Sequence, residues 1–492
     1  MERWLKHGNL DPQGREEKSA NEETQDSTAA RSKSALNAKT VAEFYRTQPV
    51  RDRRIHVLGM NNTARFIAHS LRGIPNPPPI TLILHSWDLI NQWKASAQKL
   101  QLITDGMAEK REGYEVELAL PRARFHGKEI RHEGNAAEIS EQEGKGGRRD
   151  MGRSLEGESE EPIHSLILCT KTPFLLQALS SVKHRLHPES VVLFLQNGMG
   201  TVEEVNKEIF PDPATRPHYM LGINTHRIQS APDDPFTAIH ANFGTLSLGL
   251  LPPERLREPA PYAPSPKFLG KVDKRDPVEA KYPATPHPDE APSTNQMVPW
   301  TPNDRYLLRT LLRTPVLVAT AFSPSDLLQM QLEKLAVNCI INPLTVMLDA
   351  RNGAILYNYS MTRVFRLLLS EISLVIRNLP ELQYIPNVSH RFDPGRLESL
   401  VVGYAHHTRD NISSMLNDVR LGRKTEVEYF NGWIVKRGEE QGVRCLMNYM
   451  LMNMVKGKGM MVQLEVGEGI PFVEGKMDEG GVEIKGQSGV EE

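Results

Sequence analysis

Lys334, Asn338 and Asn342 stand four residues apart in the stretch Leu332-Glu333-Lys334-Leu335-Ala336-Val337-Asn338-Cys339-Ile340-Ile341-Asn342-Pro343-Leu344. In an α-helix each step of four advances only ~40° beyond a full turn, so the three polar side chains share one stripe. Leu335, Ala336, Val337, Ile340 and Ile341 cover the rest of the circumference, which excludes an ordinary surface helix with one wet face. Two readings follow. In one, the stripe lines a cavity, where an ammonium offers a proton and two amides offer donors and acceptors to a small polar substrate. In the other, it is a narrow solvated seam on a half-buried helix. The asparagines favour the cavity, because they are poor helix formers and a seam is served as well by Glu, Gln or Lys.

A second group of candidates sits at strand ends. Ile55-His56-Val57-Leu58 reads as a strand, Phe66, Ile67 and Leu71 as a helix stopped by Pro75 to Pro79, and Ile80 to Leu84 as a second strand. This is the length of a β-α-β unit in a parallel sheet. Its first turn, Gly59-Met60-Asn61-Asn62-Thr63-Ala64, stands where a dinucleotide fingerprint G-x-G-x-x-G/A belongs. Asn61 replaces the second glycine; asparagine tolerates a left-handed backbone, so the turn can form while the side chain crowds a phosphate. A plain tight turn is the competing reading. The second strand ends at Leu84-His85-Ser86 without an immediate Asp or Glu, which leans toward NADP, with His85 either a contact to it or an exposed strand-end histidine.

Cys169-Thr170-Lys171-Thr172 and Gln196-Asn197-Gly198-Met199-Gly200 each follow a strand-like run that lacks period-two alternation, as strands covered on both faces do. Ligands collect at such carboxyl ends. Lys171 suits a phosphate or carboxylate and Asn197 a nicotinamide or a substrate carbonyl, whereas the glycines are equally explained as turns. Further on, Ser413 and Ser414 read as helix caps with Asp418 on a solvated face. Glu426 reads as an exposed residue before an Asn431-Gly432 stop, unless it faces the same cavity as Lys334.

The whole chain of 492 residues has room for two or three domains. Lys plus Arg (59) nearly balance Asp plus Glu (61), which gives no support to nucleic-acid binding. Cys169, Cys339 and Cys445 lack metal-site spacing and read as reduced core thiols in an intracellular compartment; no metal is expected. No apolar run approaches the ~18 residues of a membrane span. The expected location is the cytoplasm, with the mitochondrion as the alternative. Composition divides the chain into a disordered extension at 1–50, an α/β domain at 51–251 with a disordered insertion at about 124–162, a Pro-rich linker at 252–300, a helical domain at 301–457 and a disordered tail at 458–492.

Three separated segments resemble ketopantoate reductase (2-dehydropantoate 2-reductase), in particular its long fungal forms. They are Leu195-Gln196-Asn197-Gly198-Met199-Gly200-Thr201, Lys334 through Thr345, and Asn411-Ile412-Ser413-Ser414-Met415-Leu416 with Thr425-Glu426-Val427-Glu428-Tyr429 and Asn431-Gly432. The resemblance spans most of residues 55–457. It implies a Rossmann-type NADP-binding domain followed by an all-α domain like the carboxyl-terminal domain of 6-phosphogluconate dehydrogenase. It implies reduction of ketopantoate to pantoate by NADPH on the route to coenzyme A, with a small 2-keto acid as partner and a homodimer as an open assembly. Lys334 would then be the general acid and Glu426 would assist it. Asn338, Asn342, Ser414 and Asn197 would hold substrate. Gly59, Met60, Asn61, Asn62, Thr63, Ala64, His85, Lys171 and Asn197 would meet the cofactor. Asn61 stands where the family has glycine and Ser86 where an arginine for the 2′-phosphate is expected. A related reductase of another 2-keto acid, or a non-catalytic binding protein on the same scaffold, are the alternatives.

Overall fold

The computed structural model describes residues 52–120, 123–125, 128–130, 159–231, 234–252 and 300–467. The expected N-terminal extension, most of the insertion and linker, and the last part of the tail lie outside the described residues. The first domain opens with strand β1 (Ile55–Leu58), helix α1 (Asn62–Arg72), β2 (Ile80–Leu84) and α2 (Trp87–Ala95). A hairpin of β3 (Leu100–Thr104) and β4 (Met107–Arg111) follows, then β5 (Tyr114–Leu118) and a short hairpin, β6 (Ala123–Phe125) with β7 (Lys128–Ile130). After the insertion come β8 (Ile163–Leu168), α3 (Leu175–Val182), β9 (Leu186–Phe194), α4 (Thr201–Glu208), β10 (His218–Asn224), β11 (Arg227–Ser230), β12 (Thr237–Asn242) and β13 (Leu246–Leu250). A last strand, β14 (Ala319–Ala321), arrives from beyond the Pro-rich segment.

Eight strands make one sheet in the order β14-β13-β10-β9-β8-β1-β2-β5. From β10 through β5 every neighbour is parallel, and β13 is antiparallel to β10. β1 and β2 are buried along their whole length, which explains why both carry apolar residues on each face, with only His56 and Thr81 polar. The parallel register brings the ends of β1, β8 and β9 side by side, so the turns after Leu58, Leu168 and Phe194 share one rim. A second sheet, β11-β12-β3-β4, packs against α1. It is absent from the sequence reading, although Asp105-Gly106, both at positive φ between β3 and β4, is a strong hairpin signal.

Helix α5 (Pro302–Leu312) follows the Pro-rich segment but packs on β9 and β8, with Asn303 Nδ2 donating to the Glu189 carbonyl at 2.8 Å. The helical domain itself begins at α6 (Pro324–Leu348) and continues through α7 (Tyr359–Arg377), α8 (Val388–Arg391), α9 (Pro394–His407), α10 (Ser414–Arg420), α11 (Asn431–Glu440) and α12 (Leu446–Gly467). Its core gathers Leu335, Ile340, Leu368, Ile372, Leu397, Leu416 and Ile434 around α6. α12 runs on past Lys458, because Met460, Met461, Gln463 and Leu464 continue the helix at low cost. No described helix is long and apolar enough to cross a membrane.

α6 carries Pro343 in its interior. Proline has no N–H for the carbonyl four residues back, which is that of Cys339. Asn431 Nδ2 donates to this carbonyl at 3.0 Å, replacing the missing backbone donor. The Asn431-Gly432 pair therefore opens α11 and braces α6, and is not the stop it resembles in the sequence.

Candidate active site

α6 begins with Ser323 accepting from Asp326 N and Pro324 at its first position, a standard start. Its buried face docks in the helical core, and the stripe is turned toward the first domain. Lys334 Nζ donates to Asn197 Oδ1 at 2.8 Å and to the Asn224 carbonyl at 3.1 Å. The stripe therefore faces an interdomain cleft, not an open seam. Lys334 as a whole is half-buried, and desolvation of its ammonium lowers the pKa to about 8, opposed by the charge of Glu426. Asn342 is buried and Asn338 half-buried. Neither amide hydrogen-bonds through its side chain to another described residue, so both keep their full bonding capacity.

Asn197 is placed by the loop after β9. Gly198 and Gly200 both have positive φ, and a Cβ on Gly198 would lie 2.7 Å from Tyr429 Cβ and 2.8 Å from the Tyr429 carbonyl oxygen. Met199 N donates to that carbonyl at 3.0 Å. The glycines thus do more than turn the chain: Gly198 lets the two domains meet beside Lys334.

Glu426 is buried, at 9% exposure. Its Oε1 accepts from Thr172 Oγ1 at 2.8 Å and from Thr172 N at 3.3 Å. Burial raises its pKa, the Thr172 donors oppose this, Asp418 reinforces it and Lys171 opposes it. Glu426 is therefore not the exposed residue of the first reading: it is buried and reaches Thr172 of the first domain across the cleft. Asp418 is a correction to the sequence reading. It is 3% exposed and ion-paired with Lys171, not solvated, because it lies three residues after Met415 on the buried face of α10. Ser413 caps α10, accepting from Leu416 N at 3.1 Å, while Ser414 is exposed.

At the β1–α1 turn Gly59 has φ +101°, and a Cβ there would lie 3.1 Å from Thr170 Cγ2. Asn61 departs from expectation. Its backbone is extended (φ −73°), not left-handed. Its side chain folds back as the cap of α1, accepting from Ala64 N at 2.9 Å and donating to the Cys169 carbonyl. The N–H groups of Met60, Asn61, Asn62 and Thr63 have no acceptor among the described residues. Such a nest at a helix start suits a diphosphate, with Ala64 N already taken. Ser86 caps α2, accepting from Leu89 N at 3.4 Å, and His85 is exposed. A separate cavity of about 730 Å³ is lined by Met199, Val202, Leu221, Leu328 and Trp433, and by none of the candidate residues except through this shared loop.

Residues 55–253 match the family model for ketopantoate reductase PanE/ApbA, and residues 326–459 match the model for its C-terminal domain. The chain belongs to the ketopantoate reductase family. Among its relatives, a ketoisovalerate reductase of Gibberella fujikuroi is 26% identical over 414 residues, covering 78% of each chain. A probable 2-dehydropantoate 2-reductase of Schizosaccharomyces pombe is 28% identical over 306 residues, 61% of this chain and 75% of that one. A PanE/ApbA family ketopantoate reductase from Ralstonia eutropha shares the fold with a TM-score of 0.52 at 14% identity, over 83% of this chain and 99% of that one. The two domains of this ketopantoate reductase family member are the α/β and all-α pair that the resemblance implies, and the chain is an oxidoreductase by family.

The structure brings Lys334, Asn197 and Glu426 together with Asn338 and Asn342 on the Lys334 face, and gives Lys171 an ion pair with Asp418. It adds two residues to which the sequence reading gives no role. Thr172 reaches Glu426 from the end of β8, next to Lys171. Asn224 contributes only its carbonyl, which no side-chain pattern can signal.

Proposed function

We propose that this protein is an NADPH-dependent reductase of small branched 2-keto acids, converting 2-dehydropantoate to pantoate for pantothenate and coenzyme A biosynthesis. The observation that carries this reading is the Lys334 ammonium, held by Asn197 and Asn224 in a cleft where its pKa is about 8. The backbone N–H groups of Met60 to Thr63 would hold the diphosphate of the reduced dinucleotide, which would supply the hydride for the keto carbon. Lys334 gives a proton to the keto oxygen, and its charge stabilises the developing alkoxide. A pKa near 8 leaves it mostly protonated at neutral pH yet a stronger acid than an ordinary lysine. Ser414 would take the substrate carboxylate, and Lys171 with Asn197 would meet cofactor or substrate once Lys171 leaves Asp418. The absence of a carboxylate at Leu84-His85-Ser86 supports the phosphorylated dinucleotide.

The amides of Asn338 and Asn342 support ketopantoate over 2-ketoisovalerate, the acid named for the Gibberella fujikuroi relative. Ketopantoate carries an extra hydroxymethyl group, and amides built to bond its hydroxyl reject the analogue that lacks it, commonly by ~10⁴. Initial rates with both acids test this. A kcat/KM at least ~10²-fold higher for ketopantoate is expected, and a preference for 2-ketoisovalerate overturns the assignment.

A second reading rests on Asn61, whose side chain has taken one of the N–H groups at the start of α1. It holds that the fold binds ligand without hydride transfer. Calorimetric titration decides: no detectable NADPH binding by wild type, restored in Asn61→Gly with Ser86→Arg, supports it, and tight binding by wild type removes it.

A further inference from the structure

Thr172 is almost fully buried, at 1% exposure, and its hydroxyl lies between two acceptors. Oγ1 is 2.8 Å from Glu426 Oε1 and 2.9 Å from the Asn197 carbonyl, while the Asn197 side chain holds Lys334. The hydroxyl has one hydrogen, so it can serve only one acceptor at a time. When Glu426 is ionised, the hydrogen goes to the carboxylate, joining Thr172 N–H on the same oxygen. When Glu426 is neutral, its own proton can go to Thr172 Oγ1 and the threonine hydrogen turns to the Asn197 carbonyl. The carboxyl stays tethered in both states.

We infer that Thr172 is a positioning residue that bridges Glu426 and the Asn197 backbone beside Lys334, and keeps the carboxyl there in both protonation states. The inference rests on the reductase reading for its kinetic expression only. The titratable groups around the tether are Lys334 from α6, Lys171 from the end of β8, Asp418 from α10, and Tyr429 from the short turn after Glu426. Lys171 and Asp418 are paired with each other, which leaves Glu426 as the anion that bears on Lys334. The two Thr172 donors favour the ionised carboxylate against the burial that disfavours it, and that charge keeps Lys334 protonated. Loss of the hydroxyl shifts Glu426 toward its neutral form, and the Lys334 pKa then falls.

The test compares pH profiles of kcat/KM for wild type, Thr172→Val and Thr172→Ser, each with Glu426 and with Glu426→Gln. Thr172→Val is expected to move the alkaline limb to lower pH by roughly one unit and to lower kcat more than it raises KM. Thr172→Ser should restore both. In the Glu426→Gln background Thr172→Val should leave the limb where it is. A uniform loss at every pH without a moved limb, or an equal effect in both backgrounds, overturns the inference. The Lys334 titration is read independently from its ¹³Cε resonance in the full chain, assigned with Lys334→Met. Absence of turnover in wild type counts against the reductase reading alone, since the resonance still reports whether Thr172→Val lowers the Lys334 pKa. If Thr172→Val does not fold, Thr172→Ala replaces it under the same expectations.

Discussion

At the scale of single residues, the site is a lysine and a carboxyl that each pay in solvation for their position. The Lys334 pKa is depressed from 10.5 to about 8, so its contribution to folding is full above the unfolded value and is lost as pH falls from 10.5 through 8. The Glu426 pKa is raised from 4.5, so its contribution is present below 4.5 and is lost as pH rises through the folded value. Both groups therefore weaken the fold at neutral pH, as groups tuned for chemistry do. Two outcomes follow. kcat/KM should decline on the alkaline side with an apparent pKa of about 8, in the pH dependence of initial rates. Thermal melts of Glu426→Gln relative to wild type should improve as pH rises above 4.5, where the unfolded carboxyl ionises freely and the buried one resists ionisation; a difference that is constant or falls with pH contradicts the assignment. The stripe itself was legible because its spacing matches the helix period. Asp418 was misread because one polar residue among apolar ones looks solvated until its partner, Lys171, comes from another domain.

At the scale of elements, α6 bears the stripe and also carries Pro343, so the satisfaction of its backbone between Asn338 and Asn342 depends on a distant side chain. Asn431 is fully buried. It donates to the Cys339 carbonyl and to Asn448 Oδ1, both at 3.0 Å. Asn448 in turn donates to Glu371, whose carboxylate also accepts the Met447 and Asn448 N–H groups at the start of α12. Asn431→Ala should destabilise the protein by about 2–3 kcal/mol in denaturant melts, the cost of leaving buried polar groups unpaired. Pro343→Ala restores a backbone donor to Cys339, so the double substitution should recover part of that loss; strictly additive effects would show that the two residues are not linked. The long helices and buried strands were readable from period and composition. The second sheet was not, since β4 is largely exposed and the residues of β11 are only partly covered, which leaves no apolar run to recognise.

At the scale of the whole molecule, the two domains meet where the loop after β9 touches Tyr429. Gly198→Ala places a methyl against the Tyr429 backbone at a positive φ, so it should separate Asn197 from Lys334 and lower kcat/KM by ~10² or more, with the thermal midpoint shifted little. A normal rate would show that this contact does not position the lysine. The sequence carried the order of the domains and the polar stripe of α6, because these reside in side-chain types at fixed spacing. It could not carry the contacts across the cleft, which join residues more than a hundred positions apart, as Thr172 and Glu426 are. The central claim is that Lys334 protonates a 2-keto acid as it is reduced. Its most direct test is the rate of NADPH oxidation with ketopantoate for wild type and Lys334→Ala, with NADPH affinity measured alongside. The account predicts steady turnover in wild type and a loss of at least ~10²-fold in Lys334→Ala at unchanged NADPH affinity. Turnover by Lys334→Ala within about tenfold of wild type would contradict it.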